Sequence, residues 1–171
     1  MFVATLYVRV RTAMGMQQEM TLRDRLQTGL KDAMRAREAD RLSTLRLINA
    51  AIKDREIANR GDGTDAEVGD TEILAILGRM VKQRQESARA FQEGGRMDLA
   101  EKELAEVTVI EEFLPRQLDA VEVETAVLAA IAEVGAASIR DMGRVIAVLK
   151  AKYTGQMDFG AVGPMVKARL S

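Results

Sequence analysis

The stretch STLRLINAAIKDREIANRG, residues 43–61, combines the branched aliphatic residues of a buried helix with four basic side chains. On a helix with 3.6 residues per turn, most of its aliphatic residues fall within one broad arc. Arg46, Lys53 and Arg60 recur every seven residues and therefore form a row along another face. The stretch predicts a long amphipathic helix that packs against other helices.

The basic row of Arg46, Lys53 and Arg60 has two interpretations. A charged row is usually the solvated face of a core helix, and this interpretation is the better supported. The alternative is a surface for an anionic partner, which makes the row a secondary candidate site. Arg55 differs because it projects into the apolar arc. We predict that it forms a structural ion pair with an acid of a neighbouring helix, such as Glu86 or Glu93.

The composition excludes most familiar enzyme sites. The chain has no Cys and no His, so disulfides, thiolate nucleophiles, Cys/His metal sites and imidazole acid–base chemistry are ruled out. Glu111 and Glu112 are adjacent on a helix and point in different directions, which makes them a poor general acid and base. We predict no catalytic residue, no metal and no cofactor. With two Pro and 4% aromatic residues among 171, the chain favours helices over sheets, so we predict an all-α fold.

Residues 20–114 form a predicted N-terminal helical bundle of hairpins. Thr21 and Asp24 have the spacing of a capping box, and further helices are predicted over about 40–59 and 70–93. Asp98 and Glu101 have the same spacing and predict the start of a fourth helix. The inward residues predicted for that helix are Met97, Ala100, Leu104, Val107 and Ile110.

After a linker at 115–118, the helical pattern restarts and predicts a small three-helix domain over 119–171. Asp119 with Glu122 and Ser138 with Asp141 are its predicted capping boxes. The last helix has two alternatives, because Gly163-Pro164 lies in its middle. It either kinks there or begins at Pro164 as its first residue.

Residues 1–19 fit poorly with the rest and are treated as an uncertain N-terminal extension without an assigned function. Their apolar part is too short and too mixed for a signal peptide or a membrane span. We therefore expect no membrane association from this sequence.

Charge is distributed unevenly along the chain. Residues 61–134 hold seven basic residues against seventeen acids, whereas 135–171 hold six against two. In the latter segment Arg140 and Arg144 share the outer face of a helix, and Lys150 and Lys152 follow at its C-terminal end. The helix dipole alone accounts for the lysines. The alternative is a phosphate-binding rim formed with the Thr154-Gly155 bend.

Four segments carry a family resemblance: RLSTLRLINAAIKDREI (41–57), MVKQRQESARAFQEGGRMDLAEKE (80–103), EEFLPRQL (111–118) and IRDMGRVIAVLKAKYTGQMD (139–158). Over residues 20–171 the chain resembles the bacterial YqeY family, which is similar to the C-terminal tail of GatB, a component of the glutamine-dependent tRNA amidotransferase. The resemblance implies a larger N-terminal helical domain and a small C-terminal tail domain. In the amidotransferase the tail helps to hold the tRNA body.

The resemblance also implies site residues. Positions matching the tail pattern are Gly143, Lys150, Lys152, Gly155 and Asp158, and Lys167 matches a basic position of the last helix. We assign Gly143 a packing role within its helix and Asp158 a structural role. The resulting candidates for RNA binding are Arg140, Arg144, Lys150, Lys152, Gly155 and Lys167.

The resulting expectation is a cytoplasmic, tRNA-binding accessory protein that is not catalytic by itself. Its implied partners are tRNA and components of the amidotransferase or of an aminoacyl-tRNA synthetase. A second hypothesis is a helical protein–protein adaptor that docks a partner through the acidic segment 61–134. A third is an amide-transferring enzyme, although the residues show no active site for it.

Overall fold

The computed structural model describes residues 20–61, 63 and 67–171. The predicted extension at 1–19 lies outside these residues. Within them the chain forms seven α-helices and no strand, which confirms the predicted all-α fold. The helices are α1 (Leu22–Ala36), α2 (Ala39–Gly61), α3 (Asp70–Glu93), α4 (Met97–Glu111), α5 (Ala120–Val134), α6 (Met142–Tyr153) and α7 (Phe159–Leu170), with a 3₁₀ turn at Ile139–Asp141 before α6.

Three of the predicted capping boxes are present, two before α-helices and one, Ser138 with Asp141, before the 3₁₀ turn. The Thr21 hydroxyl accepts a hydrogen bond from the Asp24 N–H at 3.1 Å, and the Asp24 carboxylate accepts one from the Thr21 N–H at 3.2 Å. Asp119 and Glu122 repeat the arrangement before α5. These reciprocal bonds satisfy N–H groups that have no partner within the helix.

The predicted start of α4 is wrong. The helix begins at Met97, and Arg96 at the N-cap makes no side-chain capping bond. Gly95, with φ of 72°, lies in the turn before α4, and the helix already includes Asp98, the predicted cap residue. Met97 and Leu104 are 52% and 43% exposed, so their predicted inward orientation is also wrong. The other predicted inward residues, Ala100, Val107 and Ile110, are buried.

The buried apolar residues form two separate clusters. In the first, α1 to α4 pack together around fully buried residues that include Leu45, Ile48, Ile73, Leu77 and Ile110. In the second, α5 to α7 pack around Val127, Val145, Leu149, Val162 and Val166. No residue belongs to both clusters, an arrangement compatible with the predicted division at 115–118. That the two units fold independently remains a prediction.

Helix α7 runs continuously through Pro164, so the alternative in which it begins at that residue is wrong. It begins at Phe159, where the Asp158 carboxylate accepts a hydrogen bond from the Gly160 N–H at 2.8 Å. Proline has no N–H to donate to the carbonyl four residues earlier, which costs about 3 kcal/mol in a helix interior. Val162 and Val166 bury the face of α7 that offsets this cost.

The two predicted domains, residues 20–114 and 119–171, meet at residues 115–118 and at the bend between α6 and α7. The Leu118 N–H donates to the Gln156 carbonyl at 2.8 Å, and the Gln117 amide donates to the Gly155 carbonyl. Gly155 has φ of 80°, and a Cβ there would lie 3.3 Å from Leu74 and 3.4 Å from Pro115. This bend is therefore packed closely against the N-terminal domain.

Gly155→Ala should destabilise the protein more than Gly95→Ala does. Both glycines have positive φ, so alanine costs about 1–2 kcal/mol of backbone strain at either position. A Cβ at Gly95 meets no atom within 4 Å, whereas one at Gly155 must displace Leu74. Urea denaturation of the two variants measures the difference. Equal losses of unfolding free energy would contradict a close contact at the bend.

Candidate nucleic-acid interface

The two lysines of α6 lie on different sides of the helix. Residues two apart on an α-helix point about 160° away from each other. The Lys152 ammonium donates a hydrogen bond to the Glu133 carboxylate of α5. Lys150 is exposed, forms no ion pair with a described carboxylate, and lies 6.0 Å from the centroid of the Phe159 ring. The structure therefore does not bring the two lysines together on one rim.

The other predicted RNA-binding residues have different surroundings. Arg144 lies 3.4 Å from the Asp141 carboxylate and donates to the Val134 carbonyl at 3.2 Å. Arg140 and Lys167 are exposed, and neither forms an ion pair with a described carboxylate. Gly155 faces the N-terminal domain. Like Lys150, Arg140 and Lys167 are therefore candidates without an ion pair to a described acid.

Within residues 119–171, all of which the structure describes, every carboxylate is engaged. Asp119 caps α5, and each of the other five acids forms an ion pair. These pairs are Arg116–Glu122, Arg169–Glu124, Lys152–Glu133, Arg144–Asp141 and Lys82–Asp158. Three of the six cations in the segment form no ion pair with an acid that the structure describes. We call Arg140, Lys150 and Lys167 the unpaired tail cations.

The pKa shifts of the paired groups agree with the separation of the cations into paired and unpaired ones. The N–H groups of Ala137 and Ser138, bonded to the Asp141 carboxylate at 3.1 and 3.3 Å, lower its pKa below the ordinary value, and Arg144 adds to the effect. The hydrogen bond to Glu133 raises the pKa of Lys152. Each shift stabilises the ionised form in its existing intramolecular contact.

The secondary basic row lies on α2. Arg46, Lys53 and Arg60 are all exposed, in agreement with a solvated face. Arg46 and Lys53 form no ion pair with a described acid. Glu56, on the same helix, lies 2.7 Å from Arg23 of α1, a contact that the sequence did not predict.

Two predicted structural residues require correction. Arg55 forms an ion pair, but its partner is Glu72 at 3.1 Å, so the predicted partners Glu86 and Glu93 are wrong. Arg55 lies in the C-terminal part of α2 and reaches the first turn of α3, far from the end of α3 that carries the predicted acids. A Cβ at Gly143 would meet no atom within 4 Å, so no close helix contact requires a glycine there.

Sequence reasoning missed a groove of about 760 Å³ between the two domains, which we call the interdomain groove. One wall is α3 and the other is formed by the end of α6 and the start of α7. Its lining is largely apolar and includes Leu74, Val81, Leu114, Ala151, Met157 and Phe159. Lys82 and Asp158, which lie 3.2 Å apart, connect the two walls. The sequence feature that could have indicated this groove is Gly78, a glycine in the interior of α3.

The described residues offer neither a cluster of metal ligands nor a membrane-spanning helix. None of their acidic residues form a group of three or more that could hold a metal ion. None of their helices has both the length and the apolar character needed to cross a bilayer.

Comparison with known proteins gives a family match and several fungal relatives. The family model described as Yqey-like protein matches residues 23–170. Altered inheritance of mitochondria protein 41, mitochondrial, from Clavispora lusitaniae is 40% identical over 89 residues, which cover 52% of this chain and 49% of that protein. An uncharacterized protein of Schizosaccharomyces pombe is 33% identical over 86 residues, covering 50% of this chain and 66% of that protein.

The protein of the same mitochondrial name from Saccharomyces cerevisiae is 29% identical over 89 residues, covering 52% of this chain and 46% of the relative. The chain thus spans about half the length of the mitochondrial relatives it matches. Their names overturn the expected cytoplasmic location, because these relatives are named as mitochondrial proteins. They are also fungal, whereas the resemblance seen in the sequence was to a bacterial family.

Proposed function

We propose a function on one premise: this chain belongs to the Yqey-like protein family, whose model matches residues 23–170. The proposed function is that of a tRNA-binding accessory protein without catalytic activity of its own. Its tail domain would contact the phosphate backbone of a folded tRNA. Components of the tRNA amidotransferase or of an aminoacyl-tRNA synthetase are the proposed protein partners, in keeping with the resemblance of the tail to that of GatB.

The observation that carries this proposal is the set of unpaired tail cations. Arg140, Lys150 and Lys167 are exposed, while every carboxylate of the same domain is engaged by another group. Cations without an intramolecular partner can neutralise phosphates and release condensed counterions, and no existing ion pair has to be broken first. The tail therefore offers positive charge to an anionic partner although its formal charges balance.

The aromatic content of the tail indicates how such an RNA would be recognised. Residues 119–171 contain one Tyr and one Phe, Tyr153 and Phe159, and both are half-buried. Proteins that read unpaired bases stack them on exposed aromatic rings. We therefore propose recognition of the shape and charge of a structured RNA rather than of its base sequence.

A salt titration of the purified full-length protein with bulk tRNA tests the proposal. If the three unpaired tail cations each neutralise one phosphate, the logarithm of the association constant should fall with the logarithm of salt concentration with a slope of about −2 to −3. Fluorescence anisotropy of labelled tRNA measures this slope after nuclease treatment has removed co-purifying RNA. Undetectable binding, or binding that does not respond to salt, would contradict the proposal.

A further inference from the structure

We infer that the interdomain groove is a docking site for an amphipathic helix of a partner protein. The apolar face of that helix would lie in the groove, and an acidic side chain on its flank would meet Lys150. This inference goes beyond tRNA binding, because it concerns a protein partner and a groove that shares only Lys150 with the unpaired tail cations.

The size and lining of the groove suit a helix. The lining residues on α3 extend from Thr71 to Gln85, a distance of about 21 Å at 1.5 Å per residue. This is the length of about four helical turns. Leu114 of the N-terminal domain and Met157 and Phe159 of the tail domain present apolar side chains to the same space. Grooves of this kind receive the apolar face of an amphipathic helix in many complexes.

Gly78 supports a closely packed occupant. It lies in the interior of α3, where glycine costs about 0.5–1 kcal/mol relative to alanine. A Cβ on Gly78 would meet no atom within 4 Å, so no contact within the described chain requires a glycine. It lines the groove together with Ala75, one turn earlier on the same face. The absence of a side chain at Gly78 would let the backbone of an occupant approach α3.

The charges of the groove favour an acidic helix. Two of its three carboxylates are held in ion pairs, Glu72 by Arg55 at 3.1 Å and Asp158 by Lys82 at 3.2 Å. The third lining carboxylate, Glu111, forms no ion pair with a cation that the structure describes. The two lining cations without an ion pair to a described acid are Arg79 and Lys150.

Glu111 lies level with Arg79 on the neighbouring helix. The ion pair between Arg84 and Glu106, at 2.5 Å, fixes the antiparallel register of α3 and α4. Arg79 lies five residues before Arg84, and Glu111 lies five residues after Glu106. Among the lining residues, two cations without an ion pair to a described acid, Arg79 and Lys150, stand against one carboxylate, Glu111, that has no ion pair with a described cation. An acidic side chain on the docked helix complements Lys150.

Two synthetic peptides of about 16 residues, long enough for four turns, test the inference. Both carry leucine at spacings of three and four and glutamine elsewhere, and they differ only in having Glu or Lys on the flanks. Fluorescence anisotropy with the RNA-free full-length protein measures their affinities. The Glu peptide should bind more tightly. Lys150→Gln should weaken its binding about two- to fivefold, as expected for loss of an exposed ion pair, whereas Lys152→Gln should not.

Gly78→Leu should weaken binding of the Glu peptide by about tenfold or more, because the new side chain fills the groove. Gly143→Leu is the matched control. It also replaces a helical glycine that faces open space, in the first turn of α6, but Gly143 does not line the groove. Absence of binding, equal affinity for the two peptides, or the same response to both glycine substitutions would overturn the inference. Because the assay contains no RNA, its outcome is independent of whether the protein binds tRNA.

Discussion

Replacing Arg140, Lys150 and Lys167 together with glutamine should remove most of the salt-dependent affinity for tRNA. Three lost phosphate contacts should flatten the salt slope by about 2 to 3 and weaken binding about a hundredfold or more at about 0.1 M salt. The physical reason is that these side chains are exposed and have no acidic partner within the described chain. Anisotropy titrations of labelled tRNA at several salt concentrations measure both quantities.

The matched control replaces the paired cations Arg144, Lys152 and Arg169 with glutamine. It changes the net charge of the same domain by the same amount, but these side chains already contact Asp141, Glu133 and Glu124. An RNA phosphate would have to displace those carboxylates, so the control should bind nearly as tightly as the unmodified protein. Equal losses in the two triple variants would show that overall charge, and not the unpaired tail cations, determines binding.

Leu149→Ala should strongly destabilise the tail domain while the N-terminal domain keeps its stability. Leu149 is fully buried in the cluster formed by α5 to α7, and removing such a leucine side chain costs about 2–5 kcal/mol. A domain of this size has a total stability of only about 3–8 kcal/mol, so the substitution removes much of it. Hydrogen exchange followed by mass spectrometry should show faster exchange across α5 to α7 and unchanged exchange across α1 to α4.

Leu45→Ala is the reciprocal variant. Leu45 is equally buried in the cluster formed by α1 to α4, and it should affect exchange only in those helices. Loss of protection throughout the chain in either variant would mean that the two clusters unfold as one cooperative unit. The predicted division at 115–118 would then describe packing but not independent folding.

The parts of the fold that depend on residues close together in the sequence could be predicted from the sequence. The capping boxes at Thr21 and Asp119 involve groups three residues apart, so a local pattern is sufficient. The same pattern at Asp98 does not mark a cap, because Asp98 already lies inside the helix that begins at Met97. The partner of Arg55 also depends on which end of α3 lies beside α2, and sequence spacing does not specify this.

The candidate site was predictable in composition but not in arrangement. A count of cations treats Lys150 and Lys152 alike, yet helical geometry directs one toward Glu133 and the other toward the interdomain groove. The groove itself is assembled from segments near residues 71–85, 111–117 and 150–160. Because these segments are distant in sequence, no local sequence pattern predicts the space between them. Gly78, a glycine inside a helix, is the sequence feature that could have indicated the groove.

Asp158 uses its two carboxylate oxygens for two different tasks. Oδ1 accepts the hydrogen bond from the Gly160 N–H, and Oδ2 faces the Lys82 ammonium. Both side chains of the pair are about half exposed, and such a pair contributes at most about 1 kcal/mol. Thermal fluctuations can therefore break the Lys82 contact often, while α7 keeps its cap throughout. The start of α7 is therefore fixed within the tail itself and does not depend on the contact with α3.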